Sequence, residues 1–150
     1  MRFDQFDAMM RRFETSCDTH VPPGVHMVAR MDGRSFTQLA KAQSFSAPFD
    51  DSFRDMMVRT AAGLMECGLK SVYGCTHSDE MSILFHHGEN AFGRKLRKLH
   101  SVLAGEASAR FSLNLGEPAC FDCRISQLPR QEHVVDYFRW RMEDARRNAL

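Results

Sequence analysis

Between Phe49 and Leu64 the apolar residues keep a helical period, and directly afterwards that period is lost. Phe49, Phe53, Met56, Met57, Thr60, Ala61 and Leu64 fall at i, i+4, i+7 and i+8, so one helix face is apolar and must be covered. Gly68 stands where a helix C-terminal glycine is expected. Two short strand-like runs follow, Ser71 to Thr76 and Met81 to Phe85, with the polar tip His77-Ser78-Asp79-Glu80 between them. The helical period then returns with Phe92, Leu96, Leu99, Leu103 and Ala107. Helix, hairpin and helix follow one another, as in a layered fold.

The same switching continues on both sides. Val25 to Met31 has the look of a buried strand and stops at Asp32-Gly33-Arg34-Ser35. A helical turn is expected from Phe36 to Lys41, and Pro48 closes that connection. Pro118 precedes a last strand, Ala119 to Ile125, and the chain is expected to turn helical from Val134 to Leu150. Upstream, Phe3, Phe6, Met10 and Phe13 mark an amphipathic helix, which Pro22, Pro23 and Gly24 end. The order β-α-β-β-α-β with flanking helices is the ferredoxin-like α+β arrangement, an antiparallel sheet covered on one face by two helices. The palms of many nucleotide polymerases and cyclases are built this way.

Composition sets outer bounds. With 150 residues, 43% of them hydrophobic and 26% charged, a single domain over residues 1–150 can form a core without staples. No apolar run is long enough for a membrane helix, and Met1-Arg2-Phe3-Asp4 opens no signal peptide. Five scattered cysteines suit a reducing compartment, so a cytoplasmic protein is expected. A net charge of +1 demands no nucleic acid, although Arg94, Lys95, Arg97 and Lys98 form one basic cluster and Arg139, Arg141, Arg146 and Arg147 another.

Fold alone does not give function. In this topology the end of the first strand lies beside the hairpin turn, which gathers Asp32, Asp79 and Glu80 at one edge of the sheet. Close carboxylates repel, and a divalent cation relieves the repulsion. Mg²⁺ takes oxygen ligands, and two such ions about 3.5–4 Å apart serve phosphoryl transfer. Gly33 lets backbone approach an ion or phosphate, and the amides of Arg34, Ser35 and Phe36 open a helical turn. Taken singly, Asp32-Gly33 and Asp79-Glu80 read more readily as an ordinary turn and a hairpin tip, and their placement on adjacent strands weakens that reading.

The residues then resemble a known family. Met27-Val28-Ala29-Arg30-Met31-Asp32-Gly33-Arg34-Ser35-Phe36 is similar to a characteristic segment of the tRNA(His) guanylyltransferases and their 3′-to-5′ polymerase-like relatives. The match continues through Phe45, Pro48, Asp50, Tyr73-Gly74, Ser78-Asp79-Glu80, Phe121-Asp122-Cys123-Arg124, Tyr137, Trp140-Arg141, Asp144 and Asn148. The resemblance implies two Mg²⁺ ions on Asp32, the Gly33 carbonyl and Asp79, with Glu80 a supporting acid. It implies a triphosphate cradled by Gly33, Arg34, Ser35, Phe36 and Thr37, with Ser78 and Lys98 nearby and the base at Ala40 and Asp50. GTP and ATP are the implied substrates and tRNA the partner. Arg30, Lys95, Arg141, Arg146 and Asn148 are the candidates for RNA contact. The full-length family also implies a homo-oligomer, dimer or tetramer.

Three departures refine the expectation. Ala47 stands where many family members place a triphosphate-binding lysine. Arg146-Arg147-Asn148-Ala149 replaces the eukaryotic His-Ile-Asn-Asn, which resembles bacterial and archaeal members that repair tRNA 5′ ends against a template. The chain also stops roughly a hundred residues short of the family's usual length, a domain-sized difference. Two other readings remain: a nucleotide cyclase on the same palm, and an inactive nucleotide- or RNA-binding remnant.

Other features read as structural. Cys120 and Cys123 form a lone CxxC whose thiols point to opposite faces of a strand, unlike a zinc site. His77, His86 and His87 lack any HExxH pattern. Trp140 and Tyr137 could stack on RNA, but packing of the last helix is their expected use.

Overall fold

A computed structural model describes residues 1–149. It contains α1 (Phe3–Thr15), β1 (His26–Gly33), α2 (Phe36–Ala42), α3 (Asp51–Met65), β2 (Ser71–His77), β3 (Glu80–Phe85), a 3₁₀ turn (Ala91–Arg94), α4 (Leu96–Leu115), β4 (Phe121–Leu128) and α5 (Gln131–Asn148). The strands form one sheet in the order β2-β3-β1-β4, every neighbouring pair antiparallel. This is the ferredoxin-like arrangement expected from the period switches.

Alternation along the strands divides the sheet into two unlike faces. Ala29 and Met31 of β1, Met81 and Ile83 of β3 and Phe121 of β4 turn to one side and are buried. There they meet Met57, Ala61 and Leu64 of α3 and Leu99, Leu103, Ala107 and Phe111 of α4. Phe36, Phe111 and Phe121 pack with ring centroids 4.9–5.5 Å apart, which draws the chain following β1 into the core. Each such ring contributes about 2–3 kcal/mol by leaving water. The opposite face carries Arg30, Asp32, Glu80, Ser82 and Arg124, and α5 crosses it. Tyr137 Oη lies 2.9 Å from Ser82 Oγ, and Phe138 meets Tyr73 edge-on at 4.9 Å.

Several boundaries differ from expectation. Phe92 is not part of the α4 stripe: it has left-handed φ 56° in the turn before α4 and is exposed, and Phe111 completes the stripe instead. α3 closes at Met65, where the Glu66 amide donates to the Gly63 carbonyl and the Cys67 amide to that of Leu64, and Gly68 turns at φ +102° beyond it. The last strand begins at Phe121 and the last helix at Gln131; Leu150 lies outside the described residues. α1 forms as expected, yet it buries none of its residues. Among the described residues no helix is long and apolar enough to cross a membrane.

Candidate active site

The site lies where β1 and the β2–β3 hairpin end together. His77 and Glu80 form the last rung of the hairpin, leaving a two-residue turn of Ser78, at φ 52°, and Asp79. Asp32 pairs with Glu80 on one side and with Asp122 on the other, so one rung carries three carboxylates on one face. The Gly33 amide donates to the Asp79 carbonyl at 2.9 Å, tying the turn to the residue after Asp32. A Cβ on Gly33 would lie 2.6 Å from the Phe36 ring. Only glycine therefore lets Phe36 reach the core directly behind the site.

Cations on the same face stabilise this concentration of negative charge. Arg30 Nε donates to Asp32 Oδ2 at 3.1 Å, and Arg124 Nε stands 3.7 Å from the same oxygen. Buried Glu80 has Arg141 Nη1 3.3 Å and Arg30 Nε 4.0 Å from its Oε2, while Arg141 Nη2 reaches Asp144 at 2.7 Å. His77 Nε2 lies 2.9 Å from Glu80 Oε1. Hydrogen bonding to Cys75 first and Glu80 next raises the His77 pKa to about 9. Asp79 differs. Among the described residues it makes no ion pair, and burial first, then the charges of Asp32 and Glu80, push its pKa up.

An unpaired, half-buried carboxylate facing a second carboxylate is the arrangement a cation relieves. Asp32, Asp79 and the Gly33 carbonyl offer oxygen only, which fits Mg²⁺ and not a soft metal. Among the described residues no three His, Cys, Asp or Glu side chains form a complete cage. Two carboxylates would leave most coordination positions to water and phosphate, which is how Mg²⁺ is ordinarily held.

The remaining candidates spread around this centre. Arg34, Ser35 and Thr37 are exposed, Phe36 is buried and Ala40 is half-buried. The Arg34 amide donates to the Cys120 carbonyl at 2.8 Å and the Gly33 amide to Asp79, so neither is free for phosphate. The expected cradle narrows to the backbone from Ser35 onward. Asp50 caps α3: Oδ1 accepts from the Phe53 amide and Oδ2 from the Ser46 amide, each at 2.9 Å, and these bonds lower its pKa. Ser78 is exposed at the hairpin turn, and Lys98 is exposed with Nζ 5.8 Å from the Phe92 ring centre.

The structure corrects three of the expected RNA contacts. Arg30 and Arg141 are buried, because each neutralises a carboxylate that the sheet has desolvated. Lys95 is half-buried with Nζ 3.6 Å from Asp18, and Arg97 binds that same carboxylate. Arg94 of the same basic cluster is buried too, donating to the carbonyls of Val25, His87 and Glu89. Arg146 and Asn148 stay exposed at the end of α5, where Asn148 donates to Asp144 at 3.4 Å. Sequence reasoning gave no role to Asp122 or Arg124; their alternation in β4, in register with Asp32 and Arg30, was the signal available. Cys123 is an inert thiol, its pKa pushed up to about 12 by burial, and Cys120 lies exposed before the strand.

The tRNAHis guanylyltransferase family model matches residues 7–129. The chain belongs to that family. It is 29% identical over 141 residues to the probable tRNA(His) guanylyltransferase of Drosophila melanogaster, covering 89% of this chain and 49% of that protein. The Neurospora crassa tRNA(His) guanylyltransferase is 30% identical, with 85% of this chain and 47% of that protein covered. The chain thus spans about half the length of the curated relatives it matches. Among solved structures, a bacterial tRNA(His) guanylyltransferase-like protein in complex with GTP superposes with TM-score 0.87 at 29% identity, covering 96% of this chain and 72% of that one. Helix α5, with Arg141, lies beyond the segment that the family model matches.

Proposed function

We propose that this chain is the single-domain palm, residues 1–150, of a cytoplasmic nucleotidyltransferase that adds nucleotides to the 5′ end of tRNA in the 3′-to-5′ direction, with template-dependent repair its favoured activity. The observation that carries the reading is Asp79, with no ion pair among the described residues and raised in proton affinity, at a turn that the Gly33 amide ties to the end of the Asp32 strand. Two Mg²⁺ ions, when bound, would activate the attacking 3′-hydroxyl and neutralise charge on the reacting phosphates. Asp32, Asp79 and the Gly33 carbonyl supply the oxygen ligands, and Glu80 supports them from its buried ion pairs. Ser35, Phe36 and Thr37 carry the backbone for the triphosphate, with Ser78 and Lys98 at its rim and Ala40 and Asp50 near the base. Arg146 and Asn148 are left as exposed RNA contacts. Solved relatives named in complex with GTP and with ATP support both nucleotides as substrates. Assembly into a dimer or tetramer belongs to the same reading.

The test is incubation with Mg²⁺, NTPs and tRNA lacking its first nucleotide, carrying a 5′-triphosphate or a 5′-monophosphate. Template-matched extension that is lost with Asp79→Asn supports the proposal. A folded protein that extends neither end overturns it, and a cyclic product from NTP alone would make the chain a cyclase. One observation favours a second reading, nucleotide binding without turnover: Arg30 and Arg124 already neutralise Asp32 in part. Mg²⁺-dependent NTP binding with no extension would establish it.

A further inference from the structure

The only tryptophan of the chain, Trp140, lies on α5 with 54% of its surface exposed. Its neighbours on the helix do the packing. Tyr137 reaches Ser82 and Phe138 reaches Tyr73, whereas Trp140 meets Tyr137 only edge-on at 5.8 Å. Burying a ring of this size would have contributed stability, and the indole is instead left half-exposed. The Arg141 guanidinium carbon lies 3.9 Å from the indole centre and that of Arg30 5.8 Å. The same two guanidinium groups hold Glu80 and Asp32. The indole is thus one side chain away from each of these carboxylates.

We propose that the exposed indole of Trp140 is a stacking platform for a nucleobase, that of the RNA end presented to Asp32 and Asp79; the inference rests on the nucleotidyl-transfer reading above. Unstacked bases are held on aromatic planes, and the exposed indole of Trp140 offers one. Arg124, with 62% of its side chain exposed and pointing to Asp32, supplies positive charge for the attached phosphate. Position separates the two sources of a base. The proposed triphosphate segment is anchored through Phe36 in the α3–α4 core, on one side of the sheet, whereas Trp140 lies on the side crossed by α5. An incoming nucleotide held by the first leaves the second for the RNA.

A single tryptophan makes the test direct. Intrinsic emission of the intact chain is followed while a 5′-phosphorylated RNA hairpin with an unpaired 5′ end, or GTP alone, is added. RNA affinity is measured separately by anisotropy of a labelled hairpin. Quenching by the hairpin and not by GTP is expected. Trp140→Leu should weaken hairpin binding about 5- to 150-fold, the range for one lost base stack, while Trp140→Phe retains most of the affinity. Quenching by GTP alone overturns the RNA assignment and gives the platform to the nucleotide's base. No quenching by either, or unchanged affinity in a Trp140→Leu protein that melts as the parent does, overturns the platform itself. Extension that depends on Asp79 with unchanged Trp140→Leu affinity would sink only this inference. Hairpin quenching without extension would sink only the proposed activity.

Discussion

The two faces of the sheet solve the same problem by opposite means. On the α3–α4 face, burial is its own reward: Met31, Met81, Ile83, Phe111 and Phe121 leave water and need no specific partner beyond close contact. On the α5 face, Arg30, Glu80, Ser82 and Arg141 are equally inaccessible, and each needs a named partner at a particular distance. The first face tolerates exchange among residues of similar volume. The second is stabilised only as a network, and Asp79, half-buried at its edge with no ion pair among the described residues, is the candidate catalytic group.

The largest expected effect lies on the apolar face. Phe111→Ala removes a fully buried ring that meets Phe36, Phe53 and Phe121, and should cost about 4 kcal/mol in urea unfolding. Arg141→Met tests the polar face and should cost about 3 kcal/mol, because Glu80 is left buried with a weakened set of partners. Adding Glu80→Leu to that variant should recover most of the loss. If the double variant is instead as unstable as the sum of its single changes, the penalty is not that of an unpaired charge and the contrast between the faces fails. Tyr137→Phe, which strips one hydroxyl from Ser82, should cost only about 1 kcal/mol by the same measurement.

The smallest effect concerns pH. His26 starts the polar face at the head of β1, and burial first, then His87 and Arg94, hold its pKa below the ordinary 6.5. The unfolded chain therefore binds the proton more readily than the folded one. Stability should fall as pH drops below about 6.5, and His26→Gln should flatten that part of the stability–pH curve. An unchanged slope would show that the pair it forms with His87, 3.3 Å between Nδ1 atoms, carries no such penalty.

Much of the architecture was legible in the chain because it is written in local periods. The stripe from Phe53 to Leu64 and the hairpin around Ser78-Asp79 fall where the sequence places them. Phe92 was misread because an exposed aromatic in a left-handed turn carries the same apolar signature as a core ring. The Asp50 cap was overlooked, although an Asp at the position before a helix is its usual sign. Among the candidate site residues, Asp32, Asp79 and Glu80 were legible from strand ends and turn chemistry. Arg30, Lys95 and Arg141 were not, since an arginine or lysine reads identically whether it faces solvent or a buried carboxylate.

The sequence by itself determined the order of elements, the faces of its helices and the placing of carboxylates at the ends of β1 and the hairpin. These follow from side-chain period and turn preference, which act within a few residues. Only the tertiary structure decided which charges are paired, that half-buried Asp79 has no ion pair among the described residues while Asp32 and Glu80 do, and that Trp140 is left half-exposed beside them. Those outcomes depend on desolvation by residues such as Arg141, 61 positions from its partner Glu80, and no local pattern encodes that distance.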